Sequence, residues 1–159
     1  MNQPRRSEED LKRASGHLHY ELWMLTATAN ALASGIAERG WLLNALLEAF
    51  VIHVRAVSDF FYAERKRSDD VLACDFLPHE GWLRIRPVET DILKKARKRA
   101  HKEIVHLTYE RLNVMPEAKA WAFLDIARDV HTVLGVFLQH VPKELLSGEW
   151  SGSPSGGAS

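Results

Sequence analysis

Between Trp41 and Tyr62 the chain spaces its apolar residues for a helix that is apolar on more than one side. Leu46, Phe50, Val57 and Phe60, with His53 among them, form one stripe, and Leu43, Leu47, Val54 and Phe61 carry the apolar surface further round the cylinder. A helix of this kind needs neighbours on several flanks, which places it at the centre of a helical bundle. Asn44, Glu48, His53, Arg55 and Asp59 interrupt the run, so it reads as a core helix and not as a bilayer span.

The rest of the chain supplies the neighbours. Helix one is expected from about Ser7 to Arg39, with Ser7 and Asp10 resembling a capping box in which Asp replaces Glu, and with Gly40 closing it. Leu11, Leu18, Leu22, Leu25, Ala29, Leu32 and Ile36 mark its apolar stripe. Helix two is expected to run from Trp41 to about Arg65. Ser68 to Pro87 reads as a long irregular loop, with a helical turn near Asp70–Cys74 and with Trp82, Leu83 and Ile85 pinning it to the bundle. Helix three starts at the N-cap Thr90, ends near Arg111 or Leu112, and packs through Leu93, Ala96, Ala100, Ile104 and Leu107. Helix four starts at Pro116, a favoured first position, and reaches Val141 through Phe123, Ala127, Val130, Leu134 and Phe137. These elements predict an all-α, up-and-down four-helix bundle with a long loop between helices two and three. Residues 1–146 form one domain in this reading, and 147–159, rich in Ser and Gly, form a disordered tail.

Composition narrows the function classes. A chain of 159 residues with 46% hydrophobic content suits one globular domain. Lys plus Arg equals Asp plus Glu at 21 each, so the chain lacks the overall basic excess of a general nucleic-acid binder. The single cysteine, Cys74, rules out an intramolecular disulfide and a cysteine metal cluster, and it reads as a core or half-buried thiol. The N-terminus is charged and has no apolar signal-peptide core, so a cytoplasmic location and no membrane partner are expected.

Chemistry concentrates in Lys94–Arg111. Six Lys/Arg fall within the nine residues Lys94–Lys102. Arg99, Glu103 and His106 then follow one stripe, because Arg99 and His106 differ by about 20° over two helical turns. A guanidinium and an imidazole on one stripe suit phosphate binding and proton transfer. His106 would serve as general acid or base, Arg99 as phosphate clamp, and Glu103 would orient the imidazole or pair with Arg99. Lys95, Lys98 and Lys102 would steer an RNA backbone. The same pattern also fits a solvated helix flank with ordinary ion pairs.

This segment resembles the HEPN superfamily, whose members are compact helical bundles, many of them metal-independent endoribonucleases of defence and toxin–antitoxin systems. The resemblance rests on Arg99, six intervening residues and His106, and on the phrases IVHLTYER and HVRAVSDFFY. Ala100 follows the arginine, and an alternative register aligns His101–Lys102 and His106 with the Asn–Lys…His form of the motif, which puts Ala100 where the arginine belongs. The resemblance implies an RNA-directed protein, a homodimer with a shared cleft, an antitoxin or operon partner, and no cofactor.

Other polar groups have less to say. His53, on the core stripe of helix two, fits a satisfied structural histidine, or a support group across from His106 or Glu103. Arg55 and Asp59 are i, i+4 partners on another face, and Arg55 fits RNA binding across a dimer interface. Glu103-x-x-His106 has the form used by di-iron bundles but occurs once, so no metal site is expected. The competing reading is a non-catalytic helical adapter or dimerisation module.

Overall fold

The computed structural model describes residues 6–37, 39–64, 67–77, 80–103 and 121–151, with 101–103 described as backbone. The described elements are α1 (Glu8–Ser34), α2 (Trp41–Tyr62), α3 (Ala73–Phe76), α4 (Gly81–Ile85), α5 (Asp91–Glu103) and α6 (Phe123–His140). Two 3-10 turns follow, Lys143–Leu145 and Gly148–Ser151, and no strand occurs among the described residues. The fold is all-helical.

The four longer helices close a ring of contacts: α1 packs on α2, α2 on α5, α5 on α6 and α6 on α1. The apolar stripe of α1 is buried at Leu11, Leu18, Leu22, Leu25 and Ala29. Phe50, Val54, Val57 and Phe61 of α2 enter the same core, as do Leu93, Ala96 and Ala100 of α5 and Val130, Leu134 and Phe137 of α6. Phe137 is the hub of an aromatic cluster, with Phe60, Phe61, Phe76 and Trp82 meeting its ring mostly edge-on. Edge-to-face pairing adds to the stabilisation that burying their area provides. By length and composition α2 could cross a bilayer, but it is packed by α1 on one flank and by α5 on another.

Helix boundaries follow local chemistry. Ser7 caps α1 by accepting from the Asp10 N–H at 3.1 Å, and its hydroxyl donates to the Asp10 carboxylate at 2.7 Å. The helix ends at Ser34, five residues before the expected Arg39, because Gly35 adopts the left-handed conformation (φ 71°) and caps Leu32. Ile36 therefore lies outside the helix and is exposed. Gly40, expected to close α1, instead precedes α2. Helix α2 stops at Tyr62. Thr90 caps α5 as expected, with its hydroxyl accepting from the Leu93 N–H at 3.2 Å.

Three further expectations need correction. The loop between α2 and α5 contains two short helices: α3 lies slightly later than the helical turn expected near Asp70–Cys74, and α4 forms where irregular chain was expected. Trp82 lies on α4, buried, and donates its indole N–H to the Phe61 carbonyl at 2.8 Å. Helix four begins at Phe123, since Ala122 is non-helical, and Pro116 itself lies outside the described residues. The tail expected from 147 begins as ordered chain: the Ser147 backbone N–H donates to the Ser15 hydroxyl, and the Trp150 indole N–H donates to the Ser15 carbonyl at 3.0 Å. The Trp150 ring also meets His19 edge-on, so this tryptophan fastens 147–151 to α1. Residues 152–159 lie outside the described residues.

Candidate functional site

Helix α5 presents two different flanks because Arg97 and Arg99 are two residues apart, about 200° around the helix. On one flank the Arg99 guanidinium carbon lies 4.0 Å from the centroid of the Trp121 ring. This is a stacked cation–π pair linking α5 to the chain entering α6. The same indole meets the buried Phe50 ring edge-on, with centroids 6.0 Å apart. Arg99, Lys95 and Trp121 line a cleft of 160 Å³ together with Ile92, Ala96, Ala122 and Ile126. Lys94, Lys95 and Lys98 are exposed along α5.

The remaining members of the expected site are placed as far as the chain is described. Lys102 and Glu103 belong to the last turn of α5, and their side chains lie outside the described set. His106 also lies outside the described residues, as do Ile104, Leu107 and the expected end of helix three. Among the described residues no group of three or more His, Cys, Asp or Glu is gathered for a metal ion.

His53 turns to α1. It is buried, and its Nδ1 lies 2.6 Å from a Glu21 carboxylate oxygen, while Tyr20 packs edge-on against the ring. Its polar partner is therefore on α1, which makes it a satisfied group of the α1–α2 interface. Glu21 carries no signal in the sequence that could have linked it to His53, because they are 32 residues apart.

The second flank of α5 faces α2. Arg97 makes a bidentate pair with Glu89, Nε to Oε1 at 2.8 Å and Nη2 to Oε2 at 2.9 Å. Its third nitrogen lies 3.9 Å from Asp59, and Arg55 Nε lies 3.7 Å from the same carboxylate. Asp59 thus stands between two guanidiniums from different helices. Hydrogen bonding to Glu89 raises the Arg97 pKa above its usual value, against the opposing effect of burial. Tyr62 beside them donates to the Pro87 carbonyl at 3.3 Å and lies under the Arg86 guanidinium at 5.1 Å. Burial, and secondarily the nearby Glu89, raise the Tyr62 pKa above 10.0. The Arg55–Asp59 pair was legible at i, i+4, but Arg97 and Glu89 were not identified from the sequence. Arg55 consequently belongs to this ion cluster, on the flank of α5 away from Arg99.

Cys74 is exposed, not buried: it lies on the outer side of α3, whose inner side carries Ala73 and Phe76 into the core. The α3 turn is set by the Asp75 carboxylate, which accepts from the Leu72 N–H at 2.9 Å.

Comparison with known proteins finds no family model, no curated protein and no solved structure that matches this chain.

Proposed function

We propose that this chain is an RNA-directed helical-bundle protein whose working surface is the α5 flank carrying Lys95, Lys98 and Arg99. The observation that carries the reading is the Arg99–Trp121 stack beside Lys95 in one cleft. A guanidinium lying over an indole has donors around its edge suited to phosphate oxygens. Exposed Lys95, one turn back along the helix, and Lys98, next to Arg99, supply the sequence-independent attraction that dominates nucleic-acid affinity. The ring of packed helices supports the finer reading of an up-and-down, HEPN-like bundle.

In that finer reading the protein is a metal-independent endoribonuclease of a defence or toxin–antitoxin system. His106 takes the proton from a ribose 2′-hydroxyl, and the 2′-oxygen bonds to phosphorus. The P–O5′ bond breaks, the leaving oxygen is protonated, and a 2′,3′-cyclic phosphate remains. Arg99 stabilises the charge on the phosphoryl oxygens, and Glu103 orients the imidazole. The test is incubation of the purified protein with unstructured RNA in excess EDTA. Cleavage that His106→Ala abolishes while melting is unchanged supports the enzyme. RNA binding without cleavage supports the coarser reading alone, and absence of both overturns it.

A second reading, a non-catalytic dimerisation module, is favoured by one observation. Trp41 and Ile52 are 81% and 54% exposed, and their spacing puts them on one stripe of α2. Sedimentation of the wild type and of Ile52→Glu tests it: a dimer that dissociates in the variant supports the module, and a monomeric wild type removes it.

A further inference from the structure

The groove between α2, α5 and the 67–72 segment has a volume of 560 Å³, and its polar part is lined by the guanidiniums of Arg55, Arg67 and Arg97 and by the carboxylates of Asp59, Glu64 and Asp70. Ala56, Phe60 and Val71 line it too, and the same residues line an adjoining cleft of 300 Å³ that continues over Ala14 and Leu18 of α1, with His17 and Glu21 also in its lining. A polar trough and an apolar channel therefore share one wall. We propose that this continuous groove binds an amphiphilic oxyanion, a phosphate or carboxylate head carried on an apolar body.

The head belongs at Arg55 and Arg97. Their contacts with Asp59, at 3.7 and 3.9 Å, exceed hydrogen-bond length, so Asp59 attracts both guanidiniums without taking up their donors in good geometry. Glu89 holds Arg97 by two hydrogen bonds through Nε and Nη2, which fixes the direction of its remaining nitrogen before any ligand arrives. Two guanidiniums from different helices then present donors to one oxyanion, the arrangement that favours planar carboxylate and phosphate. Asp59 competes with the ligand for them.

The body belongs over Ala56, Phe60 and Val71. Val71 is 43% exposed, and covering it removes apolar surface from water. The combined size falls in the range of small-molecule sites, a few hundred to about 1,000 Å³. The site lies on the flank of α5 away from Arg99, so it does not depend on the RNA reading.

Titration calorimetry with decanoate, decyl phosphate, decanol and inorganic phosphate tests the proposal on the full chain. Both decyl oxyanions should bind saturably, with decanol and inorganic phosphate each at least tenfold weaker, and the ratio of the two decyl oxyanions identifies the preferred head. Arg55→Gln should weaken the better ligand about tenfold, and Asp59→Asn should tighten it. Val71→Ser should weaken the decyl ligands and leave inorganic phosphate unchanged. Lys95→Gln should leave all of them unchanged. Failure of both decyl oxyanions to bind saturably, or binding indifferent to Arg55→Gln in a variant whose melting matches wild type, overturns the site.

Discussion

The Arg99 guanidinium is stacked 4.0 Å above the centre of the Trp121 ring, tying α5 to the chain that enters α6. Such a contact has a structural value of its own. A partly exposed cation–π pair contributes about 0.5–2 kcal/mol. Arg99→Ala should therefore lower stability by that amount in denaturant unfolding, and Trp121→Ala should lower it further, because Trp121 also packs on Phe50. A double-mutant cycle isolates the coupling, and a coupling of zero would show that the stack stabilises nothing.

Trp82 is the residue on which the α3–α4 segment depends. It is buried in the aromatic cluster, and its N–H is satisfied by the Phe61 carbonyl. Trp82→Ala should cost about 3–5 kcal/mol, in the range of large-to-small core substitutions. Trp82→Phe should cost less, since Arg86 also donates to the Phe61 carbonyl at 3.2 Å and keeps it paired. Equal losses for the two variants in urea melts would contradict this account.

Gly35 ends α1 with a φ of 71°. Gly35→Ala places a Cβ in left-handed backbone and should cost about 1 kcal/mol. The space around it is open, so no clash adds to that strain. Gly35→Asn should cost less than Gly35→Ala. A neutral Gly35→Ala would mean that α1 continues past Ser34.

His131 gives the fold a pH dependence. The residue is exposed, and its Nε2 lies 2.8 Å from the Thr26 hydroxyl of α1. Partial burial lowers its pKa below 6.5. The unfolded chain therefore takes up the proton first as pH falls. The stability present above about pH 6.5 is lost as pH drops from there through the lower folded-state value, then levels off. His131→Gln should flatten this part of the stability profile between pH 7 and 5. An unchanged profile would remove His131 as its source.

Legibility in the sequence divides along physical lines. The helices of the core and the caps at Ser7 and Thr90 were readable, since 3.6-residue periodicity and local hydrogen bonding are written in neighbouring positions. The end of α1 was misplaced because two glycines, Gly35 and Gly40, both suit a helix boundary, and periodicity extended through Ile36. The short helix around Trp82 was hidden because its stability comes from the aromatic core, not from its own few residues. Partners across helices, Glu21 for His53, Trp121 for Arg99 and Arg97 for Asp59, depend on tertiary register that spacing in one chain does not encode. Trp150 was read as tail because Ser and Gly surround it, whereas its indole finds both a ring and a carbonyl on α1.

The central claim is that the α5 flank engages RNA through its cations, and the salt dependence of binding tests it most directly. Anisotropy of a labelled unstructured RNA should give a log–log slope with salt that becomes shallower by roughly 0.7 for each phosphate contact removed. Lys95→Gln with Lys98→Gln should reduce the slope by about 1–1.5 and weaken binding for every sequence tested. Saturable wild-type binding whose affinity and slope are both unchanged in that double variant, or no binding at low salt, would contradict the account.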